Sequence, residues 1–250
     1  MVSHIGSHQN TLRPSAEAAT PAARSPAQRS DYNVDSDVRG AANGRVTLSS
    51  LGQQLSRSAG ESDTVNAGLS RKALAAKAEA LLGQITGTQF SANRAIYDAQ
   101  VPDSDSPERL AQAKQATEFV HGNGRNPFAG LSREELALIT YDDSGSFTTN
   151  ERRAAWEVAY DREYAWRQNV VAKAMAEYNG SGKLTDFFGE VLEHFHSLPA
   201  IEQAQYPDNY AEKLQKWIDL DYNYLTNSVE GKGKPDEALT LEQSLDLLQP

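Results

Sequence analysis

Residues 132–175 read SREELALITYDDSGSFTTNERRAAWEVAYDREYAWRQNVVAKAM, and this stretch decides the fold. Ser132-Arg133-Glu134-Glu135 has the form of a capping box, in which a serine oxygen accepts from the third amide of a helix and a glutamate reaches back to the serine amide. Thr148-Thr149-Asn150-Glu151 repeats that form. Leu136 and Ile139 share one helical face after the first box. After the second, Trp156, Tyr160, Tyr164, Val170, Val171 and Met175 recur at helical spacing toward a predicted stop at Asn179-Gly180. The stretch is therefore helix, short loop, helix.

The same signals continue outward. Downstream, LTDFFGEVLEHFHSLP places Phe188, Val191, Leu192 and Phe195 on one face and ends at Pro199. Asp208 is predicted to cap NYAEKLQKWIDLDYNYL, with Tyr210, Leu214, Trp217, Ile218, Tyr222 and Leu225 as its buried side. EGKGKPDE reads as a loop and TLEQSLDLL as a short closing helix. Upstream, Ser106 caps a helix with Pro107 at its first position. Ser70 caps RKALAAKAEALLGQI, whose stripe is Leu74, Ala78, Leu81, Leu82 and Ile85, with Gly87 as its stop. Residues 90–97 read as a short helix or turn capped by Ser91, and Leu48, Leu51 and Leu55 mark a short helix ending in SAGES. No alternating strand and no hairpin signal stands out.

The fold class is all-α: an irregular helical bundle of about six to eight helices preceded by a disordered N-terminal arm. The arm, residues 1–45, is rich in Ser, Ala, Pro, Arg and Gly and cannot bury enough surface to offset the entropy of ordering. Residues 46–125 form an Ala-rich helical lobe. Residues 126–250 form an aromatic-rich main domain, with the core concentrated between 128 and 228.

Composition narrows the function. The 250 residues carry 34 acidic and 24 basic side chains, a formal charge of -10, and no cysteine. Disulfides, cysteine-held zinc and cysteine nucleophiles are excluded. A protein of pI about 5.0 is a poor ligand for polyanions, so nucleic acid is not expected as a partner. No apolar run approaches the roughly 18 residues that span a bilayer, and no membrane partner is expected. The expected location is a bacterial cytoplasm, or export without a cleaved Sec signal peptide.

Common catalytic signatures are absent from the sequence, and an enzyme is not the favoured class. Gly180-Ser181-Gly182-Lys183 copies the end of a phosphate-binding loop, but Glu177 stands at the first glycine and Leu184 at the magnesium ligand, so a helix C-cap is preferred. Glu190 and His194, four apart, read as a surface ion pair in preference to a metal site. The adjacent carboxylates Glu134/Glu135 and Asp142/Asp143 fall at a helix start and a turn, where a charged cap is expected instead of a raised general acid.

The loop Thr140 to Glu151 resembles a degenerate EF-hand. The resemblance implies Asp142 and Ser144 as alternate oxygen ligands, Gly145 at the bend, and a backbone carbonyl from Ser146. It further implies Phe147 as the apolar position, Thr148 as a direct or water-mediated ligand, and Glu151 as the closing bidentate carboxylate. Thr140 replaces the first acidic ligand and Ser144 another, so the implied cofactor is a calcium ion held weakly, with Kd toward roughly 10⁻⁴–10⁻³ M. The alternative reading is a tight turn in which Asp142 and Ser144 satisfy backbone donors and Thr148 or Thr149 caps the next helix. A second loop, DLDYNYLTNSVE, matches the spacing at Asp219, Asp221, Asn223 and Glu230 but lacks the bend glycine, and reads more simply as a helix end.

The first dozen residues hold no Asp or Glu, Ile5 is an early aliphatic, and serine is abundant over the first fifty. This composition is similar to the leaders of bacterial type III secreted effectors. The chain is expected to be a non-enzymatic bacterial binding protein with a calcium-binding EF-hand-like loop; the alternative is a secreted effector acting on a partner protein. Tyr160, Tyr164 and Tyr222, beyond what one small core needs, would line a groove for a protein partner.

Overall fold

A computed structural model describes residues 49–248. The expected arm over residues 1–45, and the export reading that rests on it, lie outside the described residues. Eleven α-helices occur among the described residues: α1 (Ser50–Asn66), α2 (Arg71–Ile85), α3 (Gly87–Ala92), α4 (Arg94–Asp98), α5 (Pro107–Val120), α6 (Arg133–Thr140), α7 (Thr149–Ser181), α8 (Thr185–Ser197), α9 (Ala200–Gln203), α10 (Tyr210–Leu220) and α11 (Leu241–Asp246). The fold is all-α, as expected. Two features raise the helix number: Asn93 divides the segment read as one short helix into α3 and α4, and the short α9 follows Pro199.

Caps fix most helix starts. The side chains of Ser49, Ser70, Ser106, Ser132, Thr148 and Thr240 each accept from a backbone amide of the first turn. Both capping boxes are complete, at Ser132/Glu135 and Thr148/Glu151. Other boundaries move. Helix α1 runs through SAGES, and α7 continues past Asn179 to a left-handed cap at Gly182. Gly87 opens α3 instead of stopping α2, and Ser91 lies inside α3, bonding back to the Gly87 carbonyl. Asn209 precedes α10, while Asp208, the expected cap, pairs with Arg71. The helix expected to reach Leu225 ends at Leu220, because Asp221 turns left-handed at φ 44° and the chain folds back as a two-residue ladder. Its strands, β1 (Tyr222–Asn223) and β2 (Ser228–Val229), are antiparallel with Tyr222 opposite Val229.

Val46–Pro250 form one compact unit, and its core shows why. Leu55 of α1 and Ala116 of α5 join Phe128, Leu136, Ile139, Phe147, Ala154, Ala155 and Ala159 in one apolar cluster. The lobes expected on either side of residue 125 thus share a core. A second cluster joins Val170 and Ala174 of α7 to Phe187, Phe188, Val191 and Phe195 of α8 and to Tyr210 and Leu214 of α10. Leu74 and Ala78 of α2 pack on Ile201 and Ala204 in a third. Helix α7 is the spine: small alanines at its N-terminal end let α5 and α6 approach closely, and larger side chains take over toward its C-terminus. No helix among the described residues is long and apolar enough to cross a membrane.

Candidate functional site

In the loop between α6 and α7, Ser146, Thr148 and Glu151 gather around Arg109, while Asp142 and Ser144 bond to each other. Glu151 is fully buried, and Arg109, projecting from α5, meets it with both terminal nitrogens: Nη1 lies 2.5 Å from Oε1 and Nη2 2.7 Å from Oε2. Nη2 also donates to the Ser146 carbonyl at 2.8 Å. Glu151 Oε1 accepts from Gln112 Nε2 (3.0 Å), and Oε2 from the Thr148 amide (2.9 Å) and hydroxyl (3.0 Å). A carboxylate offers about four lone-pair directions, so these donors saturate it.

The rest of the loop bonds to itself. Asp142 Oδ1 accepts from the Ser144 hydroxyl at 2.6 Å, and Oδ2 accepts from the Phe147 amide at 3.1 Å. The hydroxyls of Ser144 and Ser146 lie 2.9 Å apart, and Gly145 makes the bend at φ 82°. Buried Arg152 donates to the Thr140 carbonyl (3.2 Å), the Leu81 carbonyl (3.0 Å) and Gln84 Oε1 (2.9 Å). Its burial pulls its pKa down, and Asp142 and Asp143 pull the other way. Lys77 pairs with Asp143 at 2.8 Å. The loop thus combines a left-handed bend at Gly145 with the satisfied backbone donors of a tight turn.

The second loop follows the same pattern. Lys183 Nζ lies 2.6 Å from Asp221 Oδ2 and 2.7 Å from Glu230 Oε2, while Asn223 Nδ2 donates to Glu230 Oε1 at 3.1 Å. Lys183, the false phosphate-loop lysine, is therefore a brace across the hairpin. Thr185 adds a hydroxyl bond to Asp221. Asp219 faces elsewhere, bonding to Gln215.

A third constellation lies at the waist of α7, between its two apolar clusters, and sequence reading missed it. Arg133 of α6 donates from Nη1 to Glu163 of α7 and from Nε to Glu202 of α9, each at 2.8 Å. Arg167 joins Glu163 at 3.2 Å. His194 Nε2 lies 3.0 Å from Glu163 Oε2, and its ring stacks on Trp166 with centroids 3.6 Å apart. The expected Glu190–His194 pair does not form, since Glu190 bonds to Lys173. Burial pushes Glu163 up, but the hydrogen bonds and charges of His194 and Arg133 outweigh it and bring the carboxyl down to about 2. Burial raises Glu202 instead, and Arg133 only partly offsets it.

Arg133, Glu163, Arg167 and Glu202 of this network also line a groove of about 270 Å³, together with Trp156, Tyr160, Tyr141, Gln205 and Tyr206. Trp156 stacks on Tyr160 at 5.1 Å, and Arg153 lies over the Trp156 ring. One turn further along α7 is Tyr164. Tyr160 and Tyr164 are 54% and 57% exposed, against the usual burial of such rings. No family model, no curated protein and no solved structure matches the chain.

Proposed function

We propose that this chain is a binding protein, not an enzyme, and that its recognition face is the exposed side of α7 carrying Trp156, Tyr160 and Tyr164. The observation that carries the reading is the exposure of two tyrosines one turn apart on a helix anchored in a core at either end. Exposed aromatic rings on a rigid element supply large contact area at small entropic cost, the property of interface anchors. The EF-hand-like loop serves this face as a brace. Arg109 takes the place a calcium ion would occupy, contacting both the Ser146 carbonyl and the closing carboxylate Glu151, so the helix-loop-helix is held without a metal.

A photo-crosslinking amino acid placed at Tyr164, with Glu193 on the exposed side of α8 as the control position, tests the reading in cells of the source organism. A discrete adduct at Tyr164, absent at Glu193 and lost on Tyr160→Ala, is expected. Equal labelling at both positions, or none at Tyr164, rejects it. Tyr160→Ala should leave folding nearly intact, costing less than about 1.5 kcal/mol through the lost ring contact with Trp156.

A further inference from the structure

We infer that the groove lined by Trp156, Tyr160, Tyr141, Glu202 and Gln205 is a binding site for a neutral saccharide, taken up one pyranose ring at a time. The inference rests on the reading of α7 as a recognition face and names the ligand for the groove beside it.

Charge selects the class first. Arg133 and Arg167 stand against Glu163 and Glu202 in the groove lining, two positive groups against two negative, and Arg133 already bridges both carboxylates. A cationic ligand would have to displace Arg133 from Glu202. An anionic one would face two carboxylates whose charge the two guanidiniums already offset. A neutral ligand meets neither cost.

Shape and polarity select next. Tyr160 offers an aromatic surface, backed by Trp156, which is stacked on it and covered by Arg153, and Leu82, Ala159 and Leu198 complete the apolar lining. The same lining holds groups that bond hydroxyls. Tyr141 accepts from Gln205 Nε2 at 3.1 Å and keeps its own proton to donate, and Glu202 can accept. A sugar ring has one apolar C–H face and a rim of hydroxyls, which is the complement of an aromatic surface and groups that bond hydroxyls. The volume falls just below the usual range of ligand pockets, roughly 300–1,000 Å³, and suits a single ring.

The test is a ¹H–¹⁵N NMR titration of the full chain with maltose, cellobiose and N,N′-diacetylchitobiose, following the Trp156 indole and Gln205 side-chain amide signals. At least one sugar should give saturable shifts at both signals, with Kd of roughly 0.1–10 mM. Gln205→Ala and Trp156→Ala should each weaken that sugar by about tenfold or more, while Trp156→Phe, which keeps an aromatic wall, loses less. Absence of saturable shifts in the wild-type chain for all three sugars overturns the inference, as does binding that both alanine variants leave unchanged. Sugar failure with a persistent Tyr164 crosslink rejects the saccharide and leaves the binding-protein reading standing.

Discussion

Glu151 shows how one residue can carry two structural duties. It closes the capping box of α7 and holds Arg109, all in a site with no exposure. Arg109→Ala would leave that carboxylate buried without a counter-charge, a loss of about 3–5 kcal/mol in urea unfolding. Arg109→Lys should recover only part, since an ammonium cannot span both oxygens and the Ser146 carbonyl. Millimolar calcium should leave the Gly145 and Thr148 amide signals of the wild-type chain in place. Saturable shifts there, abolished by Glu151→Gln, would restore the calcium reading. Glu163 sets a pH dependence. A carboxylate held below its unfolded value, here near 4.5 unfolded and about 2 folded, gives stability that is complete above about 4.5 and is lost as pH falls toward 2. The loss is on the order of 3 kcal/mol, and Glu163→Gln should flatten that limb of the acid-unfolding curve. Glu202 acts in the opposite sense, since its raised value favours the fold at lower pH. The capping role of Glu151 was legible in the sequence; the arginine that pairs with it was not, because its position in the chain says nothing of which loop it meets.

At the scale of elements, local chemistry was the more readable part. Serine and threonine caps at Ser70, Ser106, Ser132, Thr148 and Thr240 act on backbone amides within three residues, so their effect is encoded where they stand. The end of α10 was not readable. Tyr222 and Leu225 continue its apolar period, yet the chain turns at Asp221, where Lys183 and Thr185 hold the carboxylate from a distant segment. Gly182 makes that turn possible. Its φ of 77° is left-handed, and a Cβ there would come within 2.6 Å of Asn223 Oδ1 and 2.8 Å of Leu225 Cγ. Gly182→Ala should therefore cost about 1–3 kcal/mol and disperse the NMR signals of residues 222–229, whereas Gly180→Ala, inside α7 with open space around it, should be neutral or stabilising.

For the molecule as a whole, α7 joins two apolar clusters and a charged waist fills the space between them. Residues 126–250 alone would lack Leu55, Arg109 and Ala116, which leaves Glu151 unpaired and Phe128, Leu136 and Ile139 partly uncovered. That fragment should show poor near-ultraviolet dichroism and no cooperative melt, while residues 46–250 should unfold in a single transition. A sharp melt of the shorter fragment would contradict this account of a shared core. By itself the sequence determined the all-α class, the helix starts at Ser70, Ser106, Ser132 and Thr148, the bend at Gly145 and the exclusion of thiol chemistry, because periodicity, caps and composition act over a few residues. Only the tertiary structure decided that Arg109 and Lys183 pair with the carboxylates of the two loops, that Arg133 ties α6, α7 and α9 at the waist, and that Trp156 and Tyr141 line one groove. Those pairings join residues dozens of positions apart, and a long side chain's partner is chosen by packing, which no local pattern encodes.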